Sequence, residues 1–446
     1  MRRLLSRGAV VALCAVIAPL AGSTVATAQP TRGVVEATLD NGLRVLLLED
    51  RRSPIVSVQV WYRVGGRNER AGATGLAHFL EHMMFKGTKR YGKGEYGRLV
   101  ERAGGQQNAA TSADYTQYYV TIGAEKLDLI LGLEADRMRN LLLDPKEVAS
   151  EREVVIEERR TRTDDDPGGF LSEEVSNIAF KAHPYGSPVI GWPDDIRRIT
   201  DVELRRFYDT YYQPNNAILV AVGDFKASEA LAKIRGAFGQ IPRGPAAPPV
   251  IVTEPPMVSE RRVLVRRKEA RLPIVYLAWH VPNHSAPDAA ALEVLSQIVS
   301  GGRAARIYRH LIHERQLALS AGGDYSYLAL DSSLFWFWAT PLPGQTPETL
   351  EKALLGELDL LRREPVSAEE LQRAMNQIEA AFVFQQDSVR SRASLLGRFE
   401  LIGNYAEANR YLERLRAVTP ADIQRAAQTW FPEDRRVVGV LLPAPP

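Results

Sequence analysis

In the segment Gly75-Leu76-Ala77-His78-Phe79-Leu80-Glu81-His82-Met83-Met84, two histidines stand four residues apart with a glutamate directly before the second. The surrounding residues favour a helix. A helix turns once in about 3.6 residues, so His78 and His82 project from one face and can grip one cation. Glu81 borders the same face. It lies too close to both histidines to make a comfortable third ligand, but it is well placed to hold a metal-activated water and take its proton. The order H-x-x-E-H inverts the commoner H-E-x-x-H and marks a zinc-peptidase class of its own. Two satisfied histidines on an amphipathic helix are the bland alternative. The chain has only seven histidines, and this pair comes with its glutamate.

A catalytic zinc typically takes three protein ligands and keeps one position for water. The segment Glu147-Val148-Ala149-Ser150-Glu151-Arg152-Glu153-Val154-Val155-Ile156-Glu157-Glu158 supplies the candidates. Glu151 and Glu158 are two helical turns apart and share a face, whereas Glu157 is rotated about 100° from Glu158. Glu158 is the expected third ligand. Glu151 is the expected supporting carboxylate of the catalytic site, orienting a histidine by accepting its free ring N–H. Glu153 and Glu157 read as a solvated, salt-bridged face.

Several elements must position these residues. Val35 to Leu39 and Leu43 to Leu48 flank Asp40-Asn41-Gly42, a hairpin signal. Alternation over 55–64 predicts another strand, as does the apolar pattern over 115–122. Helices are expected at 75–84, 126–140 and 145–162. Pro242, Pro245, Pro248, Pro249, Pro255 and Pro256 crowd a stretch that reads as a stiff linker, 241–256. The two sides of it look like copies. Thr200 to Arg206 lines up with Thr419 to Arg425, Thr210-Tyr211-Tyr212 with Thr429-Trp430-Phe431, and both run into an apolar strand. The expected fold is therefore α+β, with two related domains at 29–240 and 257–446, each a sheet with helices packed on it.

The N-terminus reads as a signal peptide over 1–28: three arginines by Arg7, an apolar run from Gly8 to Ala21, then Ala26-Thr27-Ala28. Its removal takes the formal charge from +2 to −1 and takes away Cys14, the sole cysteine. Metal binding then has to use His, Asp or Glu. An exported chain without disulfides fits the bacterial periplasm. Nothing in the charge points to nucleic acid, and no later apolar run is long enough to span a membrane.

At the residues quoted above the sequence resembles the pitrilysin, or insulinase, family of zinc peptidases, and the similarity covers almost the whole mature chain. Gly75 to Thr88 looks like the metal motif and its flank. Glu151 to Glu158 looks like the third-ligand helix and puts the ligand on Glu158. The resemblance implies a mostly antiparallel sheet in each domain, an inactive C-terminal domain, and a chain that forms one half of a clamshell enclosing unfolded peptides. Asn108, Ala109 and Thr111 resemble the edge strand that holds the substrate backbone. His183 belongs to a family landmark, His183-Pro184-Tyr185-Gly186, and is expected to be structural. One departure stands out. Active members usually carry an arginine and, seven residues later, a tyrosine in the domain facing the zinc, and here those positions are Ile312 and Leu319. The expectation is a zinc endopeptidase that works with a second homologous subunit supplying that pair, a homodimer being less favoured. The alternative is a non-catalytic assembly or peptide-binding subunit of the same fold.

Overall fold

The computed structural model describes residues 30–445, and the leader expected at 1–28 lies outside them. Six strands form one sheet: β1 (Val35–Thr38), β2 (Arg44–Glu49), β3 (Ile55–Tyr62), β4 (Gln106–Thr111), β5 (Thr116–Gly123) and β6 (Ala217–Gly223). Their order is β1-β2-β6-β3-β5-β4. Five more form the other sheet: β7 (Arg261–Arg267), β8 (Ile274–Val281), β9 (Ala318–Tyr325), β10 (Ser333–Pro341) and β11 (Val437–Pro443). Their order is β7-β11-β8-β10-β9.

Without β1, the two orders coincide. Each begins with a parallel pair, β2 with β6 and β7 with β11, and continues antiparallel to the far edge. The duplicated segment follows suit. Helices Asp201–Tyr211 and Pro420–Trp430 are capped by Thr200 and Thr419, whose hydroxyls accept from the N–H groups of Glu203 and Asp422, both at 3.2 Å. Each helix leads into a central strand, β6 or β11. The internal repeat of the sequence is thus a repeat of topology, and the chain consists of two related α+β units. Between helix Ala227–Phe238 and β7, where the prolines crowd, there is neither helix nor strand.

The two halves share their cores. One face of the first sheet carries Val45, Val58, Val60, Tyr118 and Val120 against Phe79, Leu80 and Met83 of the motif helix, Leu76–Met83. Its other face carries Leu46, Leu48, Trp61, Ile218 and Val220. These meet Val389, Ala393 and Leu396 of helix Val389–Leu401, which comes from the second half. In return, helix Pro167–Ala179 of the first half lays Leu171, Val175 and Ala179 on Ala278, Val437 and Leu441 of the second sheet. Each half therefore removes apolar surface of the other from water. With both faces covered, β6 is buried at every position, which is why it reads as an unbroken apolar run. Among the described residues no helix is long and apolar enough to cross a membrane.

The crossing helix fits the first sheet at Gly397. A Cβ there would lie 2.4 Å from the Trp61 ring. Gly397→Ala is expected to overpack this contact and cost about 1–3 kcal/mol, read as a lower thermal midpoint. Gly132→Ala, in helix Leu127–Arg139 with open space around the added carbon, should instead gain about 0.5–1 kcal/mol.

Candidate metal centre

The motif helix and the acidic helix, Pro145–Arg159, pack side by side, and their phases bring three side chains to one point. Glu158 Oε2 lies 3.2 Å from His82 Nε2 and 3.7 Å from His78 Nε2. The two imidazole rings are 4.7 Å apart between centroids. One donor atom from each of the three residues falls within 4.8 Å of the others. Tetrahedral zinc with bonds of about 2.0–2.2 Å holds its ligand atoms about 3.3–3.6 Å apart, so only small side-chain adjustments separate this cluster from such a shell. Two imidazole nitrogens and a carboxylate oxygen are also a donor set that zinc accepts.

Other side chains hold these three. Glu151 Oε1 sits 2.9 Å from His82 Nδ1, and its second oxygen pairs with Lys86 Nζ. This bond keeps a proton on Nδ1, so that with a metal bound the Nε2 lone pair would be the one offered to the ion. Arg162 Nη1 holds the outer oxygen of Glu158 at 2.7 Å. Arg162 follows the acidic helix in a π-helical turn, Arg160–Asp164, so the α-helix ends earlier than the sequence pattern suggests. His78 Nδ1 is buried without a partner, so its ring is fixed by packing alone. Glu81 Oε2 accepts from Thr111 Oγ1 at 2.5 Å.

Backbone contacts lock the helix start. Gly75 and Gly191 both adopt left-handed conformations, with φ of 88° and 92°. A Cβ on Gly75 would lie 2.6 Å from Ile190 O, and one on Gly191 would lie 2.6 Å from Thr74 O. Only glycine permits both the conformation and the approach. Arg159, next to Glu158, donates to Gly191 O at 2.9 Å and pairs with Glu173 at 2.7 Å. The loop around Gly191 therefore touches both helices of the cluster.

The electrostatics ask for a cation. Burial works against a charge on His82, but Glu151 and Glu158 outweigh it and raise the imidazole to about 9. Burial, then the charge on His82, pushes His78 down to about 4. The bond from His82 holds the Glu158 carboxyl below its ordinary range. In effect the two carboxylates keep one positive charge on the histidine pair, where a metal would place its own. Burial raises the Glu81 carboxyl, against the pull of Thr111.

The residues expected from the sequence thus meet in one cleft of about 600 Å³. His78, His82 and Glu158 converge, Glu81 stands beside them, and Glu151 supports His82. Asn108, Ala109 and Thr111 line the same cleft from β4, the terminal strand of its sheet. Thr111 does more than border the edge, since its hydroxyl holds Glu81. His183 lies elsewhere, bonded to Asp331 at 3.0 Å. Lys86 and Arg162 were not anticipated. Arg162 sits four residues after Glu158, a spacing at which ion pairs form on helices, and that signal was there to be read.

Comparison with known proteins places the chain in a family. The model described as Insulinase (Peptidase family M16) matches residues 44–192, and the Peptidase M16 inactive domain matches residues 198–378. The zinc protease PqqE of Helicobacter pylori is 32% identical over 409 residues, covering 91% of this chain and 92% of that protein. An uncharacterised zinc protease of Streptomyces coelicolor is 28% identical, covering 89% and 86%. The crystal structure of a protease from Helicobacter pylori superposes with a TM-score of 0.89 at 32% identity, over 92% of this chain and 99% of that one. The periplasmic protease PqqL from Escherichia coli shares the fold, with a TM-score of 0.77 at 23% identity; 92% of this chain aligns to 48% of PqqL. The chain belongs to the insulinase family, peptidase family M16.

Glu151→Gln keeps the side chain's shape and removes the charge that fixes His82. Zinc affinity, measured by chelator competition, is expected to fall about 10–100-fold while the fold is retained. An unchanged affinity would mean that Glu151 does not support the centre.

Proposed function

We propose that this chain is a zinc-dependent endopeptidase acting on unfolded peptides. The observation that carries the reading is the convergence of His78, His82 and Glu158 on one point with Glu81 beside it. Close relatives named as zinc proteases support zinc as the metal. His78, His82 and Glu158 would hold it, and when bound it supplies a Lewis acid that activates water and polarises the scissile carbonyl.

The chain's own residues do the rest. Glu81, steadied by Thr111, accepts a proton from the attacking water as the new C–O bond forms. It then delivers that proton to the amide nitrogen as the C–N bond breaks, so one water is consumed and one peptide becomes two. Glu151 keeps His82 in the tautomer that presents Nε2. The outer edge of β4 is open, so a substrate can add as a further strand through backbone hydrogen bonds, with Asn108 and Ala109 beside it. Backbone pairing favours extended peptides over folded proteins.

The chain is divided at the proline-rich 241–256 stretch into the metal-bearing domain, 29–240, and an inactive partner domain, 257–446. It acts as one half of a clamshell closed by a second homologous subunit. The alignment of this chain to 48% of PqqL supports pairing of two such units. Leu319 stands 56% exposed on β9, the terminal strand of the second sheet, and Ile312 packs against the second core. Neither can make the polar contacts of an arginine and a tyrosine, which favours a partner that brings them. The same replacements favour the second reading, a subunit that binds peptide without cutting it. The leader at 1–28 supports export to the periplasm.

The test is cleavage of quenched fluorescent peptides by the zinc-loaded mature chain, alone and mixed with a homologous subunit carrying the Arg/Tyr pair. Glu81→Gln should keep its zinc and lose about 10²–10⁴-fold in turnover. Zinc binding with no cleavage under either condition would favour the non-catalytic subunit.

A further inference from the structure

The motif helix begins without a side-chain cap of its own. Its N-cap residue is Gly75, so no Ser, Thr, Asp or Asn is available to satisfy the first backbone N–H groups. Glu69, six residues upstream, does this instead. Its Oε2 accepts from Gly75 N and its Oε1 from Ala77 N, both at 2.7 Å. Among the described residues, no Lys, Arg or His nitrogen lies within 4.0 Å of this carboxylate. Its charged neighbour is Asp195, another acid, which is occupied with Thr74 N at 3.1 Å and Thr74 Oγ1 at 2.7 Å. A half-buried carboxylate without a cationic partner is costly to keep. The first N–H groups of the motif helix and its positive end are what offset that cost here. Each oxygen accepts one backbone N–H at 2.7 Å, contacts that draw the group toward its ionised form, while burial pushes its pKa up to about 8.

The same short segment reaches the other side of the cleft. Gly66 N donates to Ser112 O at 3.1 Å and Arg67 N to Ala113 O at 2.9 Å. A Cβ on Gly65 would lie 2.3 Å from Ser112 O, so the approach needs glycine. Ser112 directly follows Thr111, whose hydroxyl holds Glu81. Residues 65–69 are therefore a strap. One end is bonded to the start of the motif helix, and the other to the turn that ends β4.

We propose that Glu69 is a positioning residue of the metal centre, fixing the rotation and advance of the motif helix against β4. Through it His78 and His82 meet Glu158, and Glu81 meets Thr111. A helix turns about 100° per residue, so slippage of one residue at its start would swing both imidazoles off the Glu158 side. This inference rests on the reading of His78, His82 and Glu158 as the metal-holding residues.

The test uses the full mature chain with Glu69→Gln, in which one oxygen becomes an NH2 group set against a backbone N–H. Zinc affinity is measured by chelator competition at a temperature where circular dichroism shows the variant folded. The expected result is a loss of about 10-fold or more, with kcat lowered and KM for a short peptide unchanged. A control in the second sheet, Val440→Ala, chosen to lower thermal stability, should leave zinc affinity alone. A purely structural role for Glu69 predicts that Glu69→Gln behaves like this control. Zinc affinity and kcat of Glu69→Gln within about twofold of the parent would overturn the proposal. If that variant does not fold, Glu69→Asp, which keeps the charge and is one methylene short, is judged by the same two outcomes. A parent chain that binds no zinc at all would instead refute the metal reading itself, and this inference with it.

Discussion

The structure turns on two helices that meet along polar faces that neither could bury alone without penalty. One presents two imidazoles and a carboxyl group, and the other presents two carboxylates. Set against each other in a partly buried cleft, Glu151 and Glu158 hold His82 charged while burial keeps His78 neutral. A cluster with this balance attracts positive charge, and a divalent cation satisfies it better than a single proton can. Much of the surrounding architecture has the effect of keeping these two faces in register: the Gly75–Gly191 contact, the Arg159 bridge and the strap that carries Glu69.

The duplicated fold provides the rigidity this requires. A single unit would leave one face of its sheet bare. The chain instead exchanges helices, so that Val389–Leu401 covers the first sheet and Pro167–Ala179 covers the second. The second half has the topology of the first but no counterpart of the H-x-x-E-H motif. Its contribution to the cleft is mechanical: it braces the back of the sheet whose far edge, β4, borders the metal centre.

How far the sequence could be read follows from how local each signal is. His78, Glu81 and His82 were legible because a helix fixes their relative directions within five residues. Glu151 and Glu158 were legible because two turns bring a residue back to the same side. The repeat was legible in its caps, Thr200 with Glu203 and Thr419 with Asp422. Strand β4 was not legible from pattern, since Gln106-Gln107-Asn108-Ala109-Ala110-Thr111 has none of the apolar alternation of a half-buried strand; only its resemblance to a known edge strand marked it. The exchange of helices was invisible because an apolar stripe such as Val389, Ala393 and Leu396 does not name the surface it will cover. Glu69 was invisible for a similar reason. Its partners are backbone groups beyond a left-handed glycine, and no side-chain pattern records them. The hydroxyl of Thr111 reaches Glu81 across two elements, a contact that exists only after folding.

The most direct measurement is zinc-edge X-ray absorption on the metal-loaded mature chain, combined with metal analysis. The account predicts about one zinc per chain, with two imidazole nitrogens and oxygen ligands at about 2.0–2.2 Å. It also predicts that His78→Ala, His82→Ala and Glu158→Ala each remove one ligand from that shell or abolish binding. Far less than one zinc per chain, or a shell unchanged by these substitutions, would contradict it.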